Sequence, residues 1–275
     1  METTKPTKKF NSTAIIGVLA FSAFLAVFNE TILNVALSPL MKEMNVTAGT
    51  VQWIITAYMI VVSVMVPITA FLIQTFETKH LFLGAMTLLL LGTICAACSG
   101  SFAMLLVSRM LQASGTGMMI PLLMNTVLLV TPPEKHGAAM GICGCVISIG
   151  PALGPTVSGI LLQFFSWHAL FIMLIPLILI AMILGSIYLV NVSTLTKPKI
   201  DFISIILSSV GIGGVIYGIS SFSGDENMKI ISLIFIVGII SLIMFVKRQL
   251  SLKEPMLEMR IFKYPLFSVG VVLVM

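Results

Sequence analysis

The sequence predicts an all-α integral membrane protein, and its composition and hydropathy pattern carry this prediction. Of the 275 residues, 58% are hydrophobic and only 9% are charged, whereas soluble domains carry about a quarter charged residues. Apolar runs of about 20 residues, long enough to span a bilayer as helices, recur along the chain. The net charge of +5 does not indicate nucleic-acid binding, because the basic residues lie in short gaps between apolar runs.

Eight apolar runs follow one another, and each predicts one membrane-spanning helix. In chain order they cover residues 12–37, 51–73, 81–99, 102–130, 137–164, 168–190, 202–222 and 230–246. A further apolar run starts near Leu266 and reaches the last residue, Met275, after about ten residues, which is too short to span a bilayer. The sequence therefore predicts the start of a ninth helix that it does not complete.

These runs divide the chain into six predicted segments. They are a cytoplasmic N-terminus (1–11), a six-helix N-terminal bundle (12–190), a cytoplasmic connector (191–201), two additional transmembrane helices (202–246), a cytoplasmic linker (247–265) and the truncated start of the ninth helix (266–275).

The placement of lysine and arginine predicts the orientation of the chain. With the N-terminus in the cytoplasm, the inside segments hold twelve basic residues, and the outside loops hold only Lys42 and Lys229. Positive residues are enriched in cytoplasmic loops. We therefore expect an integral plasma-membrane protein with a cytoplasmic N-terminus.

Two charged residues, Glu30 and Arg109, lie well inside predicted spans. An unpaired charge near the bilayer centre costs about 2.5–3.5 kcal/mol, so each charge should face a partner or a hydrated cavity. Each lies about 10 Å from the outer end of its run at 1.5 Å per residue. We expect an ion pair or a water-bridged pair, in which Glu30 carries a coupling proton and Arg109 modulates its pKa. The alternative is that the two charges only lock two helices together.

Polar residues at helical spacing accompany these charges on the first, second and fourth spans. On each span they share one helix face, which predicts a central hydrated pathway for a substrate. The candidate pathway residues are Asn29, Asn34, Gln52, Thr56, Gln112 and Thr116.

The stretch GICGCVISIGPALGPTVSGIL, residues 141–161, places small residues at every fourth position. Gly150, Gly154 and Ser158 allow another helix to approach closely. Pro151 and Pro155 each remove a backbone donor and can kink the helix. One interpretation is a bend that shapes or seals the pathway, and the other is tight packing alone.

Four stretches of the chain resemble motifs of the major facilitator superfamily, and within it of the fourteen-helix drug:proton antiporters. They are NETILNVALSPL (29–40), RMLQASGTGMMIPL (109–122), GPALGPTVSG (150–159) and FSWHALFIMLIP (165–176). The third stretch resembles the antiporter motif. Its backbone residues in this sequence are Gly150, Pro151, Gly154, Pro155 and Gly159.

The resemblance implies two six-helix bundles around a central cavity, with two extra helices between them, and proton-coupled export of amphipathic or cationic drugs. The implied partners are the lipid bilayer, protons, a small drug-like substrate and a C-terminal bundle that this sequence lacks. The expected location is a bacterial plasma membrane.

The chain departs from the family pattern at three places, one of which is His168, where the family commonly has an arginine. The family's first-helix acid usually stands where this chain has Asn29, one residue before Glu30. The family's gating loop, between the second and third spans, normally has an Asp, a Gly and several basic residues. This chain has Gln74 in place of the Asp, Glu77 in place of the Gly, and Lys79 as its basic residue.

Two other classes of function compete with transport. The short ninth run favours a truncated membrane protein that does not transport and acts as a partner or regulatory half. A membrane enzyme is disfavoured, because His80, His136 and His168 are scattered and form no cluster with carboxylates. We expect no cofactor and no metal site.

Overall fold

The described part of the chain is built from helices, and no strand occurs in it. The computed structural model describes residues 11–192, 195, 201–221, 228–252, 255 and 257–264. Eight helical segments in these ranges are long and apolar enough to cross a membrane. The predicted all-α membrane fold is therefore confirmed. The predicted start of a ninth helix, 266–275, lies outside the described residues, as does the N-terminal segment up to residue 10.

The helices lie close to the predicted runs. In chain order they are α1 (Ser12–Ile32), α2 (Leu37–Glu43), α3 (Ala48–Thr75), α4 (Thr78–Ala97), α5 (Phe102–Val130), α6 (His136–Phe164), α7 (His168–Tyr188), α8 (Phe202–Ser221) and α9 (Met228–Ser251). Short 3₁₀ helices occur at Asn34–Ala36, Pro133–Lys135 and Met259–Lys263. The first span consists of α1, a 3₁₀ turn and the short α2.

The first span is broken, although the sequence predicts one continuous helix over 12–37. Pro39 favours a change in the backbone hydrogen bonding here, although α3, α5, α6 and α7 each continue past a proline. Inside a continuous helix, its ring would clash with the carbonyl group four residues earlier, and it has no N–H to donate. The chain leaves the helix at Ile32 and restarts at Leu37, which places Pro39 in the first turn of α2, where proline is tolerated.

The last described span is longer than predicted. α9 continues to Ser251, five residues beyond the predicted end, so the predicted linker 247–265 begins as helix. Two polar side chains at this end have protein partners. Arg248 forms a two-point ion pair with Asp201, with N–O distances of 2.9 Å, and Gln249 donates to Ser204 at 2.7 Å.

The core lies between α1, α3, α4, α5 and α7. α5 packs against α1, α3 and α4, and α1 packs against α5, α6 and α7. Ser101 and Thr47 begin α5 and α3 by accepting hydrogen bonds from backbone N–H groups in the first turn, as N-cap residues do. Among the described spans, the first span and α5 have the largest share of buried residues.

α8 and α9 form a pair that packs on the bundle chiefly through α3. Their backbones approach so closely that a Cβ atom on Gly214 would lie 3.1 Å from the Cα atom of Gly238. Small residues permit this approach between helices. Trp53 of α3 faces Tyr217 of α8, with ring centroids 5.5 Å apart.

Candidate functional site

Arg109 of α5 lies at the centre of a polar cluster inside the bundle, and its residue surface is only 1% exposed. The Nη1 atom donates to the backbone carbonyl of Asn29 at 3.0 Å and to Oε1 of Gln112 at 3.0 Å. The Nη2 atom donates to the backbone carbonyl of Glu30 at 3.3 Å. The guanidinium group thus binds the last turn of α1.

The break in the first span explains why Arg109 binds there. α1 ends at Ile32, so the carbonyl groups of Asn29 and Glu30 belong to the last four of the helix and have no intrahelical donor. A cation at a helix C-terminus also interacts favourably with the helix dipole. Arg109 therefore caps the end of α1 from the neighbouring helix.

Tyr58 of α3 completes this arrangement and was not identified from the sequence. Its ring centroid lies 4.0 Å from Cζ of Arg109, and its hydroxyl donates to Oγ1 of Thr116 at 2.7 Å. Tyr58 is 1% exposed, and a desolvated cation–π contact contributes about 2 kcal/mol or more. The available signal was its spacing from Val51 and Ile54, which places a hydroxyl on the buried face of α3.

Gln112 extends the cluster to α4. Its Oε1 accepts from Arg109, and its Nε2 donates to Oγ1 of Thr93 at 2.9 Å. The helices approach closely here, because a Cβ atom on Gly92 would lie 2.7 Å from the backbone nitrogen of Gln112. Arg109 and Gln112 therefore join α1, α5 and α4 through hydrogen bonds that are buried in the bundle.

Of the two expected arrangements, the direct ion pair between Glu30 and Arg109 is absent from the described structure, and the water-bridged pair stays a prediction. Arg109 binds the backbone of Glu30, and within the described ranges no side-chain ion pair joins these two residues at 4.0 Å or less. The reason is the helix break, which supplies free carbonyl groups to the guanidinium. Glu30 itself is half-buried, and its role with protons remains a prediction.

Asn29, at the position of the family's usual acid, is fully enclosed. Its side chain is 0% exposed, and neither Oδ1 nor Nδ2 makes a hydrogen bond of standard geometry, although the amide lies near the hydroxyl of Tyr58. The Nε atom of Arg109 is also unpaired. A buried polar group without a partner costs about 1–3 kcal/mol, so the cluster is incompletely satisfied at Asn29.

The other candidate pathway residues divide into two groups. Thr56, Gln112 and Thr116 are buried between helices, whereas Asn34 and Gln52 are exposed. The polar face of α5 thus packs against α1, α3 and α4 instead of opening into a cavity. That these residues line a pathway for a substrate remains a prediction.

The small residues of the predicted antiporter motif pack against the same end of α1. Oγ1 of Thr31 donates to the carbonyl of Gly150 at 3.5 Å, and Oγ of Ser158 donates to the carbonyl of Ile32. Gly154 lies directly against Thr31, with no room for a Cβ atom. The break in the first span is therefore held by α5 on one side and by α6 on the other.

The prolines of that motif face away from this contact. Pro151 and Pro155 are exposed, Gly159 is half-buried, and α6 continues as one helix past both prolines. No atom would lie within 4 Å of a Cβ atom on Gly159. The contacts of this motif within the described residues come from its small side chains, as in the packing interpretation.

The candidate gating residues make local contacts. Gln74 donates to the carbonyl of Ala70 at 3.1 Å in its own helix, and Glu77 pairs with His80 at 3.2 Å. Lys79 donates to the carbonyl of Ser186 at 2.5 Å, in the last turn of α7. Lys79 therefore ties the start of α4 to the end of α7.

An apolar cavity of about 620 Å³ lies between α1 and α6. It is lined by Thr13, Ile16, Gly17, Ala20, Phe21, Phe24, Ala139, Ile142, Val146 and Ile149. Farther along α1, beyond the cavity, Thr31 contacts α6. Glu30 precedes Thr31 by one residue, so its side chain points about 100° away around the helix. No group of three or more metal-ligating side chains occurs in the part of the chain that the structure describes.

Comparison with known sequences identifies relatives along the whole chain. The sequence profile of the Major Facilitator Superfamily matches residues 19–275. The chain is 45% identical to "Lincomycin resistance protein LmrB" of Bacillus subtilis (strain 168), covering 100% of this chain and 58% of that protein. It is 28% identical to "Putative multidrug resistance protein MdtD" of Escherichia coli O81 (strain ED1a), covering 93% of this chain and 54% of that protein. The chain thus spans little more than half the length of these relatives.

Solved structures show the same fold. A crystal structure of the peptide transporter POT in complex with sulfate matches with a TM-score of 0.65 and 20% identity, covering 86% of this chain and 52% of that one. The human organic anion transporter MFSD10 (TETRAN) matches with a TM-score of 0.62 and 14% identity, covering 82% and 60%. These relatives are transporters and not enzymes. The chain belongs to the Major Facilitator Superfamily.

Proposed function

We propose that this chain provides the first bundle and two linking helices of a bacterial proton-coupled exporter of amphipathic or cationic drugs. The observation that carries the proposal is the 45% identity, over the whole chain, to a protein named for lincomycin resistance. On this proposal α1–α7 form the bundle (12–190), residues 191–201 connect it, and α8 and α9 are the two additional helices. The N-terminus lies in the cytoplasm and the spans lie in the plasma membrane.

In the proposed mechanism, Glu30 carries the coupling proton and Arg109 responds to it. An ionised carboxylate is a stronger acceptor for a guanidinium group than a backbone carbonyl is. Deprotonated Glu30 therefore competes with the carbonyl groups of Asn29 and Glu30 for Arg109. Protonated Glu30 leaves Arg109 on the end of α1, as in the arrangement described above.

This exchange would couple the proton to the shape of the first span. Arg109 and Ser158 both bind carbonyl groups at the break between α1 and α2. Removing Arg109 from these carbonyls weakens one of the two contacts that hold the break. Loading and release of a proton then bias the first span between two arrangements, which alternating access requires.

The apolar cavity supports an amphipathic substrate. Its volume of about 620 Å³ lies within the usual range of small-molecule sites, about 300–1,000 Å³. Its lining is almost wholly apolar, with Thr13 as the polar side chain. We propose that the apolar part of a drug occupies this cavity and that Glu30 attracts a cationic group.

Efflux measurements test the proposal. A fluorescent cationic dye is added outside everted membrane vesicles that contain the complete gene product, and its transport into the vesicles is followed before and after a protonophore is added. Wild-type transport should stop with the protonophore, and Glu30→Gln should abolish the gradient-driven part while the protein still inserts. Glu134→Gln, at an exposed acidic residue of the loop between α5 and α6, is the matched control and should transport normally. Unchanged gradient-driven transport by Glu30→Gln would contradict the proton role.

A further inference from the structure

The end of α9 that carries the Asp201–Arg248 ion pair also carries a basic and aromatic surface. We infer that this surface, formed by Lys247, Arg260, Phe262 and Tyr264, binds the headgroups of anionic phospholipids. The inference concerns the two additional helices and does not depend on drug export. It holds for whichever leaflet meets this end of α9.

One face of α9 is exposed along its length and ends in a lysine. Ile240, Ile243 and Met244 are each more than half exposed. Lys247 follows at the helical spacing that keeps it on this face, and Leu250 comes one turn later. In a bilayer, a lysine near the end of an apolar face extends its amine to the headgroup region. Lys247 is therefore placed to meet a phosphate group.

Residues 257–264 fold back onto the same end of α9. The backbone N–H of Leu257 donates to Oε1 of Gln249 at 3.2 Å. Nη2 of Arg260 donates to the carbonyl groups of Leu250 and Leu252, at 3.4 Å and 3.3 Å. These contacts hold the segment beside the last turn of α9, and they place Arg260 next to the face that carries Lys247.

The segment presents exposed aromatic side chains at this end of α9. Phe262 is 51% exposed, Tyr264 is 68% exposed, and Ile261 between Arg260 and Phe262 is 41% exposed. Aromatic residues with a polar group are enriched where a bilayer meets water. Apolar side chains beside exposed cations are the combination by which interfacial segments bind anionic membranes.

The charges around this surface favour an anionic partner. Lys247, Arg248 and Arg260 are the basic side chains that the structure describes here, beside the acidic Asp201 and Glu258. Asp201 forms an ion pair with Arg248. Glu258 forms an ion pair with Arg260, in which the Nε–Oε1 distance is 3.7 Å and the Arg260 side chain remains 49% exposed. Lys247 is exposed. A positive balance at a membrane surface attracts negatively charged headgroups, so anionic lipid is the occupant that this chemistry fits.

The test places a probe on the surface in bilayers of defined charge. The four native cysteines are replaced by alanine, Tyr264→Cys is labelled with an environment-sensitive fluorophore, and the chain is reconstituted in phosphatidylcholine with increasing phosphatidylglycerol. We expect the emission to shift to the blue, and quenching by nitroxide-labelled lipid to rise, as phosphatidylglycerol increases. High ionic strength should reverse both changes, because exposed charges are screened.

Neutralising the basic residues should weaken the response. With each basic residue contributing about a factor of five, Lys247→Gln together with Arg260→Gln should lower the apparent affinity for phosphatidylglycerol roughly thirty-fold. Lys247→Gln alone leaves the Arg260 contacts in place and should lower it about five-fold. Lys135→Gln, at an exposed lysine of the loop between α5 and α6, is the control and should respond as wild type.

Two outcomes would overturn the inference. An equal response in phosphatidylcholine alone would mean that the segment inserts by its apolar side chains without recognising charge. A probe that is shielded in detergent, before any phospholipid is added, would mean that another part of the protein or a second copy covers the surface.

Discussion

Arg109 donates to the backbone carbonyl of Glu30 at 3.3 Å and forms no ion pair with its carboxylate in the described structure. In this arrangement the guanidinium group of Arg109 stabilises the C-terminal end of α1 and does not bind a carboxylate. The residues around Arg109 make different contacts, so mutations can separate their contributions to stability.

Two buried amides in this cluster should respond differently to replacement by leucine. The side chain of Asn29 makes no hydrogen bond of standard geometry, whereas Gln112 accepts from Arg109 and donates to Thr93. Asn29→Leu should leave the free energy of unfolding unchanged or raise it, because no partner is lost. Gln112→Leu should lower it by about 2–3 kcal/mol, since two buried groups lose a partner. Thermal unfolding in detergent measures both, and a greater loss for Asn29→Leu would contradict the geometry.

The two contacts of Tyr58 can be separated in the same way. Tyr58→Phe keeps the ring under Arg109 and removes the hydrogen bond to Thr116, so it should cost about 1 kcal/mol. Tyr58→Leu also removes the cation–π contact and should cost about 2 kcal/mol more. The difference between the two variants, measured by unfolding, isolates the ring contact. Equal losses would show that the ring does not stabilise the guanidinium.

Two glycines of α6 should differ sharply in their tolerance of a methyl group. A Cβ atom on Gly154 would collide with Thr31 at the end of α1, while one on Gly159 would meet nothing within 4 Å. Gly154→Ala should therefore cost about 1–3 kcal/mol through overpacking. Gly159→Ala should be neutral or slightly stabilising, because alanine favours the helix. Similar unfolding temperatures for the two variants would show that α6 does not pack closely on α1.

The Asp201–Arg248 pair should make stability depend on pH in acid. The Arg248 guanidinium holds the pKa of Asp201 down at about 2, compared with 3.8 for a free side chain. A carboxyl with a depressed pKa contributes its full stabilisation above its unfolded pKa, and the contribution is lost as pH falls towards the folded value. The unfolding temperature of wild type should therefore exceed that of Asp201→Asn above about pH 4, and the gap should close towards pH 2. A constant gap would contradict this assignment.

The sequence predicted the spans well because length and apolarity decide them. α5 begins and ends where its apolar run does, at Phe102 and Val130. The level of Arg109 was also predictable, since helical rise converts sequence position into depth. The break after Ile32 was missed although Pro39 signalled it, because a proline also fits within bent membrane helices.

The partners of the site residues were less predictable than their positions. Helical periodicity identifies a shared face, and it does not say whether that face opens into water or packs on another helix. Thr116 illustrates this limit, since its hydroxyl accepts from Tyr58 of another helix. The acceptor of Arg109 depends on where α1 ends, which is a tertiary feature of the first span.

The pairing of α8 with α9 affects how easily a chain of this kind can gain or lose two helices. The two helices approach each other closely at Gly214 and Gly238, and the ion pair between Asp201 and Arg248 joins them at one end. They pack on the other described helices chiefly through α3. A hairpin that satisfies most of its own contacts can be gained or lost by an ancestor with few compensating changes elsewhere. We therefore expect the ends of α8 and α9 to tolerate insertion or removal of the helix pair better than positions inside the bundle.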